Sequence, residues 1–145
     1  MNSAGGVAGR ELALEYVNPQ PELMAATARL LAADSRYAAV IGPGSSAAIL
    51  EAADEFLRYR KPLVSFNSTA AEVLRAYGKK GAVWRTRESD IAQTEVILRH
   101  AKATGAAQIS LITATDADGA SFFSWFGFFA RELGYPDAAI HIEPL

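Results

Sequence analysis

Short runs of β-forming residues alternate with longer runs of helical period along this whole chain. Residues 11–17 alternate apolar and polar like a half-buried strand. Pro19-Gln20-Pro21-Glu22 then opens a helix: Pro21 suits the first turn, Glu22 the positive end of the dipole. Leu23, Ala26, Leu30 and Leu31 carry its apolar stripe to about residue 33. Residues 37–41 read as a buried strand ended by Gly42-Pro43-Gly44, and Ser45-Ser46 cap a helix to about residue 60. Residues 62–66 are a third strand, and Asn67-Ser68-Thr69 cap a helix that ends at Gly78. Residues 82–86 form a strand, Ser89-Asp90 start a helix ended by Gly105, and residues 109–114 form a fifth strand. A helix over residues 119–133 and a sixth strand over residues 138–142 complete the series.

Helices inserted between successive strands imply parallel pairing, because a parallel connection needs a crossover of helical length. The expected class is α/β: a three-layer parallel sheet with helices on both faces. The chain has 145 residues, half of them hydrophobic and 21% charged, which is ample for a packed core and too apolar for a disordered chain. A charge cluster at Arg85, Arg87, Glu88 and Asp90 marks the one plausible internal boundary.

Composition removes several functions. There is no cysteine, so disulfides, thiolate zinc sites, iron–sulfur clusters and cysteine nucleophiles are excluded, and two histidines cannot build a histidine-rich metal site. We expect no metal and no cofactor. With 14 basic and 16 acidic residues the net charge is −2, which argues against nucleic acid as a partner. The longest apolar run, residues 122–130, is far short of the ~20 residues that span a bilayer, so membrane insertion is not expected. Met1-Asn2-Ser3-Ala4-Gly5-Gly6 lacks the basic and apolar regions of a signal peptide.

Ligands of open parallel sheets bind beyond the carboxyl ends of the strands. Three strand-to-helix turns there are small and polar: Gly42-Pro43-Gly44-Ser45-Ser46, Asn67-Ser68-Thr69, and Thr115-Asp116-Ala117-Asp118-Gly119. Glycines allow close approach, serines offer hydroxyls, and unpaired amides at a helix N-terminus favour an anion such as a carboxylate. The same residues are also ordinary N-caps. No Gly-Lys-Ser/Thr follows the first turn, and Ala47 stands where a dinucleotide fingerprint needs its third glycine.

Asp116-Ala117-Asp118-Gly119 has the spacing of the nucleophile and acid/base aspartates of haloacid-dehalogenase-like phosphatases. Ala120 departs from that pattern, and the chain after Asp118 is too short for the later lysine and metal-binding aspartates. As a calcium loop the run also fails, because Ala114 and Trp125 would be ligands. His100 in a helix and His141 in a strand read as structural rather than catalytic, so the chain is not expected to be an enzyme.

The series of motifs resembles the periplasmic type I solute-binding family, the branched-chain amino-acid receptors of ABC transporters. The resemblance rests on Asn2-Ser3-Ala4-Gly5-Gly6-Val7-Ala8-Gly9-Arg10, then Tyr37 through Ser46, then Lys61-Pro62-Leu63-Val64-Ser65-Phe66-Asn67-Ser68-Thr69. It continues with Val83-Trp84-Arg85-Thr86, Ser89-Asp90, Gln93, Asp118-Gly119 and Glu132-Leu133-Gly134. It implies a non-catalytic, periplasmic or extracellular module that captures an amino acid or small carboxylate and passes it to a membrane permease. A ligand-sensing regulatory domain of the same fold is the alternative.

By residue, the resemblance implies ligand contacts at Ser45, Ser46, Asn67, Ser68 and Thr69, with Ser46 on the ligand's carboxylate. Asp118 stands where the family usually carries an aromatic residue, often tyrosine; a carboxylate there would repel an acidic ligand and suit a cationic one. The resemblance further implies that residues 1–89 are a partial first lobe, lacking its first strand and most of its first helix. Residues 90–145 would begin the second lobe, so the fold is expected to be incomplete.

One helix bears on that incompleteness. At about 100° per residue, Phe122, Trp125, Phe126 and Phe129 of residues 119–133 form an ordinary core stripe. Phe123 and Phe128 widen the apolar arc to about 220°, more than one sheet covers. A neighbouring helix of the same molecule accounts for it; a homodimer contact through Phe122, Phe123, Trp125 and Phe128 is the sharper expectation.

Overall fold

The computed structural model describes residues 2–144. Five helices and five strands alternate: α1 (Met24–Ala33), β1 (Val40–Ile41), α2 (Ser46–Arg58), β2 (Leu63–Ser65), α3 (Ala71–Tyr77), β3 (Val83–Arg85), α4 (Asp90–Ala103), β4 (Ile109–Thr113), α5 (Ala117–Glu132) and β5 (Ile140–Pro144). All pairing in these strands is parallel, in the orders β1-β2-β3 and β4-β5. The α/β class and parallel pairing therefore hold, divided between two sheets.

Register shows why each sheet has one packed face. Val40, Leu63 and Val83 are aligned across the first sheet and point into a core built from α1, α2 and α3. Their neighbours Ile41, Val64 and Trp84 are aligned on the opposite face. There Ile41 is 70% and Trp84 58% exposed, so among the described residues helices cover one face of this sheet. The second sheet behaves alike. Ile109 and Leu111 pair with Ile140 and Ile142 over α4 and α5, while Ser110, His141, Ile112 and Glu143 lie on the other side. The strand expected to be buried over residues 37–41 is thus buried on one side only, and both sheets are half covered, in keeping with an incomplete fold.

Three local expectations are corrected. Residues 11–17 form no strand: they pair with none, and Leu12, Leu14, Tyr16 and Val17 are exposed. Alternation makes a strand only where a partner ladder and a face to pack on exist. Instead Asn2 brackets Leu12, donating to its carbonyl (2.8 Å) and accepting from its amide (2.9 Å), and the Tyr37 hydroxyl donates to Glu15. The first strand of the sheet is shorter than expected, two residues rather than five. Asn67-Ser68-Thr69 do not cap α3, whose N-cap is Ala70 with no side-chain bond.

Ser45, Ser89 and Asp116 do cap α2, α4 and α5, each accepting an amide three residues on. Lys61, nearly buried, reaches the carbonyls of Leu31 and Asp34 at the end of α1, where a cation meets the negative end of the dipole. The aromatic helix α5 packs along α4, burying Phe126 and partly burying Phe122, Trp125 and Phe129. Trp125, Phe128 and Phe129 stack among themselves at centroid distances of 5.3–6.0 Å. Phe123 and Phe128 stay about half exposed. No helix among the described residues is long and apolar enough to cross a membrane.

Candidate functional site

The turn after β1 delivers Ser46 as the first residue of α2, fully buried. The turn after β2 brings Ser68, Thr69 and Ala70, all buried, against it. Thr69 and Ala70 amides both donate to Ser46 Oγ at 3.1 Å, and the Ser68 hydroxyl lies 2.8 Å from it. Freed from capping, the second turn spends its donors on the first.

Behind them, Ser65 ties the two turns: its hydroxyl donates to the Pro43 carbonyl and accepts the Ser68 amide. Arg85 on β3 donates to the carbonyls of Thr69 (3.1 Å) and Ala70 (3.2 Å), which fixes that peptide with its amides facing Ser46. The sequence offered Arg85 in a charge cluster and in the Val83-Trp84-Arg85-Thr86 motif, with no sign that its target was backbone.

The third turn enters from the other sheet. Asp118, in the first turn of α5, places its carboxylate among these donors. Oδ2 accepts the Ser46 amide at 3.1 Å, and Oδ1 accepts the Ser46 hydroxyl, the Thr69 hydroxyl at 3.3 Å and the Ala70 amide at 3.2 Å. A serine hydroxyl has one proton. With that proton given to Asp118, Ser46 Oγ takes the proton of Ser68. The result is a carboxylate seat: two hydroxyls and two amides from two chain segments converge on one carboxylate.

Four of the six residues singled out in the sequence, Ser46, Ser68, Thr69 and Asp118, meet at this seat. The other two do not. Ser45 is exposed and caps α2, and exposed Asn67 accepts a hydrogen bond from Arg87 instead. The amide of Ala70 was missed because an alanine carries no polar signal. Ser121 was missed too; its hydroxyl accepts the Ala71 amide at 3.1 Å, a second tie between α5 and the first sheet's turn.

Asp116, the nucleophile of a phosphatase reading, caps α5 through Gly119, and Asp118 is engaged with the seat. Gly119 is required by space. A Cβ there would lie 1.7 Å from the Ala114 carbonyl oxygen, so the turn folds tightly onto the end of β4. His100 and His141 are exposed, far along their elements from the seat. Among the described residues no three histidine or acidic side chains gather as a metal site.

Beside the seat, Asp90 is fully buried at the start of α4, and neither carboxylate oxygen has a hydrogen-bond partner. Burial pushes its pKa above the ordinary carboxylate range. The nearby hydroxyls of Thr69 and Ser121 pull the other way, the Asp118 charge adds to the rise, and Arg85 opposes it.

The family model described as "Receptor family ligand binding region" matches residues 2–134. Curated proteins give no match. An ABC transporter substrate-binding protein from Desulfitobacterium hafniense is 24% identical with a TM-score of 0.80, covering 99% of this chain and 42% of that one. A structure of an ABC transporter substrate-binding protein from the same organism in complex with Leu gives 25% identity and a TM-score of 0.83, over 98% of this chain and 42% of that one. An ABC transporter solute-binding protein from Rhodopseudomonas palustris BisB5, in complex with 3,4-dihydroxybenzoic acid, shares the fold at 16% identity and a TM-score of 0.74, over 87% and 33% of the two chains. The present chain thus spans about two fifths of the length of the solved proteins it resembles best among these.

Proposed function

The chain belongs to the receptor family ligand binding region, and on that premise we propose that it is a solute-binding module of an ABC transporter, capturing an amino acid or small carboxylate. The observation that carries this reading is the seat itself, where Ser46, Thr69 and Ala70 hold a carboxylate through four hydrogen bonds. Charge-assisted bonds of this kind are the strong ones, and a helix N-terminus adds its dipole. Leu and 3,4-dihydroxybenzoic acid, held by two structural relatives, have a carboxylate in common. The module would lie in the periplasm or outside the cell, bind without catalysis, and hand its ligand to a membrane permease.

In this reading Ser46 and Thr69 contact the ligand, Ser68 and Arg85 hold them in place, and residues 1–89 and 90–145 are parts of two lobes. Phe122, Phe123, Trp125 and Phe128 would form a homodimer contact, and a solution mass of 15.5 kDa by light scattering would remove that part.

A thermal-shift screen with leucine and 3,4-dihydroxybenzoate tests the function. A ligand at ~100 times its Kd adds about 2.7 kcal/mol of stability, which reads as several degrees. Stabilisation lost in both Ser46→Ala and Thr69→Ala supports the reading. Stabilisation unchanged in both variants contradicts the assigned site, and its absence with every amino acid and carboxylate tried contradicts the function.

A further inference from the structure

We propose that Asp118 is a built-in occupant of the carboxylate seat, one that a ligand's carboxylate must displace, so that this residue sets both the affinity and the class of ligand admitted. The inference rests on the solute-binding reading for its ligand, but its physical content is an exchange of one carboxylate for another.

Two observations carry it. First, the donors are used up: each amide and hydroxyl aimed at the seat has one proton, three of them go to Asp118, and the Ala70 amide divides its proton between Asp118 and Ser46 Oγ. A second carboxylate would find no donor and a like charge at contact distance. Second, the occupant comes from the other sheet, 72 positions along the chain from Ser46. Its turn is tight, with Asp116 capping α5 and Gly119 against the Ala114 carbonyl. Asp118 therefore leaves the seat when α5 withdraws from the first sheet's turns, which also breaks the Ser121–Ala71 bond.

The sequence reading that Asp118 faces the ligand and favours a cation is replaced here by one in which it faces the donors and competes with the ligand.

The test uses acetate, the smallest carboxylate that reproduces the Asp118 head group, on the whole chain and on Asp118→Ala. Binding is followed by calorimetry and thermal shift, with chloride at equal ionic strength as control. We expect acetate to bind Asp118→Ala at least tenfold more tightly than the native chain, with the gain lost in Ser46→Ala/Asp118→Ala. Equal acetate affinity in the native chain and Asp118→Ala, or none in either, overturns the inference. Should Asp118→Ala not fold, Asp118→Ser takes its place: its side chain is too short to fill the seat, and a native-like acetate response overturns the proposal equally.

Leucine separates this inference from the proposed function. Acetate gain without leucine binding in any variant upholds the exchange and removes the amino-acid reading. Leucine binding in Asp118→Ala no tighter than in the native chain overturns the exchange and leaves the function standing.

Discussion

The two sheets of this molecule are packed by different means. The β1-β2-β3 unit is closed by small side chains. Ala28, Ala32, Ala52 and Ala53 let α1 and α2 approach closely, and Ile49, Phe56 and Leu63 are at most 1% exposed. The β4-β5 unit has the longer ladder, five aligned pairs, but relies on the aromatic helix α5, which leaves Phe123 and Phe128 half exposed. The division extends to the site. The tightly packed unit supplies the donors, fixed from behind by Ser65 and Arg85. The more open unit supplies the acceptor, Asp118. A binding seat needs donors preorganised on a rigid element, while the group that comes and goes can ride on the less anchored one.

Core truncation gives the largest expected effect. Phe56→Ala should lower unfolding stability by about 3–5 kcal/mol in chemical denaturation. Phe128→Ala, which loses only exposed surface and edge contacts with Trp125 and Phe129, should lower it by about 1 kcal/mol. Equal losses would break the contrast between the two units.

Glycine substitutions sharpen it within α5. Gly119→Ala drives a Cβ into the Ala114 carbonyl and should cost about 1–3 kcal/mol. Gly127→Ala meets the side chains of Arg131, at 3.2 Å, and Ile142, at 3.9 Å, and no backbone, so it should be neutral or stabilising by up to about 1 kcal/mol through helix propensity. Thermal melts of both variants check the pair, and a tolerated Gly119→Ala would mean the turn is looser than described.

The smallest effect concerns Asp90, and its sign depends on pH. Its raised pKa means the folded state binds the proton more tightly than the unfolded chain does. The fold therefore gains most below the ordinary carboxylate pKa of about 4 and loses that advantage as pH rises through the elevated value. Asp90→Asn removes the buried charge. It should raise stability at pH 7 by about 1 kcal/mol, with the difference shrinking toward pH 4. A variant less stable than the native chain at pH 7 would contradict this.

Much of this was legible in the sequence because it is local. The short apolar runs at Val40, Leu63 and Val83 announce strands, and the glycines and serines after β1 announce a polar turn. The destination of Asp118 was not legible. It joins Ser46 across 72 residues, and no local preference distinguishes a carboxylate facing a ligand from one facing donors. Asn67-Ser68-Thr69 misled for a related reason: cap-forming residues were read as satisfying their own helix, whereas Thr69 and Ala70 amides go to another turn. Residues 11–17 had the right alternation and no partner.

The central claim is that Ser46, Thr69 and Ala70 form one seat which Asp118 and a ligand's carboxylate exchange. Amide chemical shifts of the labelled chain during a leucine titration test it most directly. The account predicts that the largest changes fall at Ser46, Thr69, Ala70 and Asp118, with a smaller one at Ala71 as Ser121 withdraws. Saturable changes confined to other residues, with those four unmoved, would contradict it.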